Sequence, residues 1–295
     1  MPGSGSGTDP GQREGASSLA APVRRYPEVP PAPEAIAARL VELEQTLRDP
    51  AGTEQTLPAL AHQQQVIYRQ LARSSALSGA VLRQLPARWQ PVVQRHLRAR
   101  RAFEAMHRGP ARTRLPAWRI IPPRPAQELL RHYREAAAIT GIPWEVLAAV
   151  NLVESALGRI DGVSVANAQG PMQFLPSTWA EPGIGRGGDI REPRDAIHAA
   201  ARYLVRRGGL QDIRRGLWGY NNSEHYGRGV LEYAALIRED PSAFRALYLW
   251  EVHVPSIAGD IWLPVGYDQR QPISVQTYLS EHPESAPSVL PATGR

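Results

Sequence analysis

The sequence predicts an all-α protein, built from amphipathic helices that are separated by breaks rich in proline and glycine. Apolar residues recur at intervals of three and four in several segments between residues 34 and 250, which is the period of a helix with one face on a core. The 295 residues include 28 prolines and 25 glycines, which are unfavourable inside helices and therefore mark the breaks. The absence of cysteine excludes a disulfide scaffold, a thiolate zinc site and a cysteine nucleophile.

Residues 1–33 consist largely of glycine, serine and proline, with few large apolar side chains. Such a segment buries too little surface to offset the entropy lost on ordering, so we expect a disordered leader. It shows neither the basic start nor the apolar stretch of a signal peptide. No run of apolar residues approaches the roughly 18 that a membrane-spanning helix needs.

Residues 34–110 are predicted to form a helical module without visible chemistry of its own. Three apolar stripes with helical spacing follow one another, and Asp49-Pro50 ends the first of them. The stripes consist of Ile36, Leu40, Leu43 and Leu47, of Leu57, Leu60, Ile67, Tyr68 and Leu71, and of Val92, Val93, Leu97 and Met106. Three such helices favour a small bundle or a brace on a larger domain.

Positive charge is concentrated where this module ends. The chain has 34 basic and 28 acidic residues, and every basic residue is an arginine. Nine arginines and one acidic residue, Glu104, lie between Arg95 and Arg124. This stretch predicts a weak attraction to anionic wall polymers or a membrane surface, with a solvated helix face as the alternative. Without aromatic interleaving or a known motif, it does not predict nucleic-acid binding.

A proline- and arginine-rich linker is predicted over residues 111–125, and helical signals return over residues 126–250. Gly141 ends one predicted helix, and the next begins at Pro143. A further helix begins near Pro193 and is closed by Gly208-Gly209. The last part, residues 251–295, changes to valine, isoleucine and tryptophan with glycine and aspartate turns. It predicts a short irregular extension that includes a hairpin and ends in about a dozen disordered residues.

Glu154 is the residue whose position indicates chemistry. In the helix predicted from Pro143, it follows Leu147 by seven residues and Val150 by four, so the three side chains share one face. A carboxyl group on a core-facing stripe is costly to ionise, and its pKa should rise. Such a group can act as a general acid near neutral pH. On spacing alone, a solvated or helix-capping glutamate is the alternative.

Three short motifs occur in order along this part of the chain. Glu154-Ser155 lies at the end of a predicted helix, the letters GPMQ occupy residues 170–173, and Tyr220-Asn221 lies near a later helix. In order and approximate spacing they resemble the soluble lytic transglycosylase family, enzymes of the lysozyme superfamily that cut peptidoglycan. The intervening segment GGDIREPRDAIHAAARYL is similar to actinobacterial-type members. The resemblance covers about residues 126–240.

The resemblance implies a lysozyme-like domain over residues 126–250 that cleaves the β-1,4 bond between N-acetylmuramic acid (MurNAc) and N-acetylglucosamine (GlcNAc). It implies a 1,6-anhydroMurNAc product, Glu154 as the only acid and base, and neither cofactor nor metal. It further implies that seven residues line or approach the glycan cleft. These are Ser155, Met172, Gln173, Phe174, Tyr220, Asn221 and Tyr226.

Several of these residues have a structural alternative. Met172 could belong to the core, and Ser155 could satisfy the last carbonyls of its helix. Tyr220 with Asn221 could be a helix cap and a half-buried tyrosine. Trp179 and Trp218 could stack on sugars, although core packing is the more common role of tryptophan in a helical domain.

The sequence departs from the family pattern at a few positions. Pro171 replaces the usual leucine, Gly219 stands where a small residue such as alanine is usual, and the loop after Glu154 is about one residue longer. These changes affect fine substrate contacts more than the reaction. Two-carboxylate glycosidases place their acids about 5–9.5 Å apart, and Asp161, Asp189 and Asp195 have no obvious place as a second acid.

Three other functions remain open at this point. A muramidase would hydrolyse the same bond, and a catalytically inactive protein would only bind peptidoglycan. The third is an adaptor that binds anionic surfaces through the stretch from Arg95 to Arg124. The eight histidines form no metal-ligand pair such as HxxxH, and neither a GxSxG motif nor a strand-associated GxGxxG motif occurs. The predicted partner is the peptidoglycan glycan strand, the predicted state is a monomer, and the predicted location is extracytoplasmic, at the cell wall or cell surface.

Overall fold

The computed structural model describes residues 24–52, 54–106 and 109–287. It confirms the all-α prediction, because helices dominate and strands occur only in three short two-stranded sheets of the described residues. The helices are α1 (Pro33–Arg48), α2 (Leu57–Arg73), α3 (Ser75–Gln84), α4 (Gln90–Met106), α5 (Ala126–Thr140), α6 (Trp144–Ser155), α7 (Pro176–Trp179), α8 (Pro193–Arg206), α9 (Ile213–Asn221), α10 (Glu224–Glu239), α11 (Ala243–Tyr248) and α12 (Val275–Glu281), with a 3₁₀ turn at Pro283–Ser285. The strands are β1 (Arg114–Leu115), β2 (Trp118–Ile120), β3 (Ile160–Gly162), β4 (Val252–Ser256), β5 (Gly259–Leu263) and β6 (Ile273–Ser274).

One hydrophobic core runs through both helical parts of the chain. It extends without interruption from Ile36 in α1 to Trp250 after α11. Helix α10 lies at its centre and packs against α4 on one side and α6 on the other. The helices of residues 34–110 therefore share their core with the domain that carries Glu154.

The described part of residues 34–110 contains four helices, one more than the stripes predict. The additional helix, α3, begins at the cap residue Ser74, whose side chain accepts a hydrogen bond from the Leu77 amide. Only Ser78 and Val81 of this helix are buried. A helix with so small a buried face has no clear apolar stripe, which is why the periodicity did not reveal it.

Residues 24–33 are ordered against the body of the protein, which corrects this part of the predicted leader. The Arg24 guanidinium forms an ion pair with Glu251 at 2.8 Å, and the Tyr26 amide donates to the Glu284 carbonyl at 2.8 Å. Tyr26 is buried, and Val29 packs beside it. These few apolar and charged contacts hold the segment although its composition is typical of a linker. Residues 1–23 lie outside the described residues.

Residues 111–125 contribute strands as well as linking the helical parts. Strand β1 pairs with β6, and β2 pairs with β3, both antiparallel. Leu115 and Ile120 from this segment enter a second core with side chains of the β4–β5 hairpin and α12. The predicted C-terminal hairpin is regular, since β4 and β5 pair over five residues each. Residues 284–287, predicted within the disordered end, include the buried Ser285, and residues 288–295 lie outside the described ones.

A buried polar cluster fixes the β4–β5 hairpin to α2. The Asp260 carboxylate on β5 accepts hydrogen bonds from Nε and Nη2 of Arg69, and it lies 3.4 Å from His253 Nδ1. His253 Nε2 lies 3.0 Å from His62 Nε2 on α2. Burial acts to raise the pKa of Asp260, but Arg69 and His253 together hold it well below its usual value. Buried ion pairs and hydrogen bonds thus hold the hairpin to α2, in addition to its apolar contacts.

Among the residues that the structure describes, no helix combines the length and the apolar character needed to cross a membrane.

Candidate active site

Glu154 lies at the last turn of α6, where the helix leaves the core. Leu147 and Val150 are fully buried on the predicted face, and the Glu154 side chain is half-buried one turn further on. The backbone reverses directly afterwards, because Ala156 and Leu157 adopt left-handed φ angles of 52° and 63°. The Leu157 amide closes this turn by donating to the Asn151 carbonyl at 3.1 Å. The reversal leaves Glu154 at the edge of the helix, next to a cavity.

Ser155 and Asn151 anchor a second segment beside this helix end. Both donate hydrogen bonds to the Pro171 carbonyl, Ser155 Oγ at 2.5 Å and Asn151 Nδ2 at 2.7 Å. The side-chain oxygen Oδ1 of Asn151 accepts a hydrogen bond from the Tyr133 hydroxyl at 2.5 Å. Ser155 is fully buried, so it positions the turn and does not reach substrate, which corrects its predicted contact with the glycan. Asn151 was missed, although a polar residue within an apolar helix is a detectable signal.

The turn at residues 170–173 has a conformation that its sequence requires. Gly170 has φ of 72°, and a Cβ atom there would lie 1.9 Å from the Ile190 carbonyl oxygen, so only glycine fits. Gln173 also has a positive φ, of 47°, and its Nε2 donates to the Gly170 carbonyl at 2.9 Å. The Met172 and Phe174 side chains are buried in the core. The Met172 side chain is thus part of the core, as the structural alternative for this residue expected.

Two stacked tyrosines connect this turn to Glu154. Tyr226, in the first turn of α10, donates its hydroxyl proton to Glu154 Oε1 at 2.7 Å. The Tyr220 ring lies parallel to it with centroids 6.3 Å apart, and the Tyr220 hydroxyl donates to the Met172 carbonyl at 2.8 Å. Tyr226 is therefore the direct partner of the carboxyl group, and Tyr220 orders the layer behind it.

The surroundings of Glu154 favour its protonated form. Burial raises the pKa of this carboxyl from 4.5 to about 7, and the hydrogen bond from Tyr226 opposes the shift without cancelling it. The pKa of the Tyr226 hydroxyl is itself raised, by burial and by the neighbouring Glu154, so the tyrosine stays a donor. The direction agrees with the prediction from the helix face. A carboxyl group that is about half protonated at neutral pH can both give and accept a proton.

Glu154 lines a cavity of about 530 Å³. Of the predicted site residues, Asn221 and Tyr226 share this lining, whereas Ser155, Met172, Gln173, Phe174 and Tyr220 do not. A larger cavity of about 720 Å³ lies beside α8 and contains none of the predicted site residues. The chemistry of Glu154 therefore makes the smaller cavity the candidate active site.

Much of the lining comes from segments where the sequence indicated no site. Trp118 of β2, Phe103 of α4 and strand β4 all border the cavity. Two further carboxylates do so as well: Glu251 is paired with Arg24, and Glu104 lies 3.8 Å from both Arg73 and Arg100. These residues are far from Glu154 along the chain, and no local motif marks them.

The geometry can be compared with known proteins. Residues 131–230 match the family model described as the transglycosylase SLT domain, a family that acts on peptidoglycan strands. No curated protein and no solved structure gave a match to the chain. The matched residues include α6 with Glu154, the turn at residues 170–173, and Tyr226. Residues 131–230 are thus a transglycosylase SLT domain.

Proposed function

We propose that this chain is a peptidoglycan lytic transglycosylase in which Glu154 is the only acid and base. One observation carries the proposal: the carboxyl group is half-buried beside a cavity, has a pKa of about 7, and is bound by a neutral tyrosine. Among the residues that the structure describes, neither a cation nor a second carboxylate hydrogen-bonds to Glu154, so no described partner forces it to remain ionised.

The reaction begins with the protonated acid. Glu154 donates its proton to the glycosidic oxygen between MurNAc and GlcNAc, and the bond from this oxygen to the anomeric carbon breaks with its electron pair on the leaving GlcNAc. The acetamido group of MurNAc assists by stabilising the positive charge that develops. Proton transfer from a positioned acid typically contributes on the order of 10²–10⁴ in rate.

The second half regenerates the acid. The Glu154 carboxylate removes the proton of the MurNAc 6-hydroxyl, whose oxygen attacks the anomeric carbon and closes the 1,6-anhydro ring. No water is consumed, and Glu154 ends protonated as it began. The Tyr226 hydroxyl hydrogen bond stabilises the carboxylate between the two steps. Asn221, exposed in the same cavity, is placed to bind a sugar amide or hydroxyl.

Hydrolysis is the second candidate, because Glu104 and Glu251 border the same cavity and one of them could activate water. Each is next to arginine, which favours a role in an ion pair. An inactive binding protein is disfavoured by the Tyr226–Glu154 hydrogen bond, a contact that binding alone would not need. With peptidoglycan as substrate, the proposed place of action is extracytoplasmic, at the cell wall.

The test is product analysis on purified sacculi. The wild-type chain should release muropeptides with 1,6-anhydroMurNAc ends, which mass spectrometry distinguishes from the reducing ends left by a muramidase. The Glu154→Gln variant should lose at least about a hundredfold in turnover. Glu145→Gln, in the first turn of the same helix and outside the cavity, is the matched control and should keep its activity. Reducing ends, or retained activity of Glu154→Gln, would refute the proposal.

A further inference from the structure

The cavity next to Glu154 also contains arginines from outside the SLT domain. Arg73 comes from the end of α2, Arg100 from the middle of α4, and Arg112 from the segment before β1. All three precede residue 131, where the family match begins. We call these three residues the arginine wall. The helical part at residues 34–110 therefore supplies charge to the same cavity that holds the proposed acid.

The charge of the arginine wall is poorly compensated. Arg73 and Arg100 both lie 3.8 Å from Glu104 Oε1, beyond hydrogen-bonding distance, and this oxygen has no hydrogen bond in the described structure. Arg73 is also 3.7 Å from Asp260, but that carboxylate is already bound by Arg69. Besides Glu154 and Glu104, the cavity lining contains one more acidic residue, Glu251. Glu251 is paired with Arg24.

Arg100 and Arg112 are the least satisfied members. The Arg100 Nε is buried without a hydrogen-bond partner among the described residues, and burial lowers the pKa of this guanidinium. The Arg100 guanidinium has a neutral hydrogen-bond partner, the Tyr233 hydroxyl, in place of a carboxylate. The Arg112 side chain is exposed to solvent at the cavity, with neither an ion pair nor a hydrogen bond to another described residue. Glu104 thus lies near two guanidinium groups of the wall, those of Arg73 and Arg100, without a hydrogen bond to either.

The other arginines of α4 behave differently. Arg95 and Arg98 bind Glu232 of α10 at 2.9 Å and 2.6 Å, and Arg101 donates to Ser78 Oγ at 2.7 Å. These residues hold α4 to its neighbours. The same helix therefore has arginines with ion-pair or hydrogen-bond partners where it packs, and one with an unpartnered Nε where it borders the cavity. Packing does not explain why Arg100 lies beside the cavity with a buried, unpartnered Nε, and together with the exposed Arg73 and Arg112 it indicates a ligand that brings negative charge.

We propose that the arginine wall binds the free carboxylates of the peptides carried by the glycan strand, an inference that rests on the proposed function. The guanidinium group matches a carboxylate with two parallel hydrogen bonds. In an intact strand the sugars are uncharged, and the negative charge lies on the peptide attached to MurNAc. This is the sugar whose bond the proposed mechanism breaks, so its peptide must lie close to Glu154. The wall would thereby select strands that still carry peptides with free carboxylates.

Binding can be measured without cleavage by using the Glu154→Gln chain and calorimetry. The probe is a soluble tetrasaccharide of alternating GlcNAc and MurNAc that carries its peptides, prepared with free or with amidated peptide carboxylates. We expect the free form to bind roughly tenfold more tightly. Added Arg112→Gln or Arg73→Gln should remove most of this difference and leave the affinity for the amidated form unchanged. Arg131→Gln, an exposed arginine of α5 outside the cavity, is the matched control for net charge.

A third probe identifies the source of the carboxylate. The same tetrasaccharide without peptides has a free lactyl carboxylate on MurNAc, and we expect it to bind more weakly than the peptide-bearing form. Equal or tighter binding of this probe, equal affinity for free and amidated peptides, no binding of any probe, or equal effects of Arg112→Gln and Arg131→Gln would each overturn the proposal. The product analysis on sacculi tests the proposed function separately, so failure of either one is recognisable.

Discussion

Glu154 and Asp260 are two carboxyl groups withdrawn from bulk water, and their pKa values move in opposite directions. Burial favours the neutral acid at both sites. At Glu154 the partner is the neutral Tyr226 hydroxyl, so the effect of burial prevails and the pKa rises to about 7. At Asp260 the partners are Arg69 and His253, which overcome burial and lower the pKa well below its usual value. The charge of the partner, more than the depth of burial, decides which carboxyl can donate a proton.

The comparison also separates two uses of a buried acid. Asp260 remains ionised and joins the β4–β5 hairpin to α2, which places strand β4 at the edge of the candidate active site. Glu154 forms no ion pair with another described residue, and its proton is the one that the proposed mechanism transfers. Under this proposal catalysis and structure use different carboxyl groups, and three measurements test the distinction.

The largest effect on stability is expected for Asp260→Asn. The substitution leaves the buried Arg69 guanidinium without a counter-charge, and removing one partner of a buried pair costs about 3–5 kcal/mol. Urea denaturation should show this loss in the free energy of unfolding. The control is Asp240→Asn, because Asp240 forms an ion pair with Arg48 while its side chain is 42% exposed. This substitution should cost no more than about 1 kcal/mol. Equal losses in the two variants would contradict a structural role for the Asp260 charge.

A smaller effect, with a defined pH dependence, is expected for the stability of Glu154→Gln. The folded-state pKa of about 7 lies above the value of 4.5 expected for the unfolded chain, so the folded state binds this proton more tightly. The stabilisation is complete below pH 4.5 and is lost as the pH rises through 7. Relative to wild type, Glu154→Gln should therefore become more stable between pH 5 and pH 8, by about 2 kcal/mol after allowance for partial exposure.

Asp260 provides the control for this measurement, because its pKa is shifted in the opposite direction from that of Glu154. Its depressed pKa means that its contribution is present above pH 3.8 and is lost only as the pH falls through the lower folded-state value. It should not contribute between pH 5 and pH 8. Thermal unfolding of the wild type and of Glu154→Gln across this pH range isolates the contribution of Glu154 to stability, because both proteins contain the same histidines. Parallel stability curves would show that the Glu154 pKa is not raised.

The smallest effect is expected for Tyr226→Phe. Loss of the hydroxyl removes the hydrogen bond that opposes the rise in the Glu154 pKa, so the acid should titrate at still higher pH. Turnover should fall by roughly tenfold, the value of about one charge-assisted hydrogen bond. The pH profile of turnover on sacculi measures both quantities. Tyr220→Phe loses a bond to the Met172 carbonyl instead and should leave the pH profile in place, so identical shifts in the two variants would refute a direct role for Tyr226.

The predictions that succeeded depend on residues close together in the chain. Helical spacing placed Glu154 on the face of Leu147 and Val150, which the structure buries. What the sequence did not predict are contacts between distant segments. Arg24 and Glu251 are 227 positions apart, and Arg69 and Asp260 are 191 apart, so no local pattern connects them. For the same reason the predicted leader and linker included segments that the structure packs into the body.

The helical class and the position of Glu154 at a helix end could be predicted from the sequence alone. These features follow from periodicity and backbone preferences, which act over a few residues. The pairing of Tyr226 with Glu154, the charged state of Asp260 and the arginines that α2 and α4 contribute to the cavity became visible only after folding. The pKa of a group and the charge of a cavity depend on which distant side chains meet after folding, and that is a property of packing rather than of spacing.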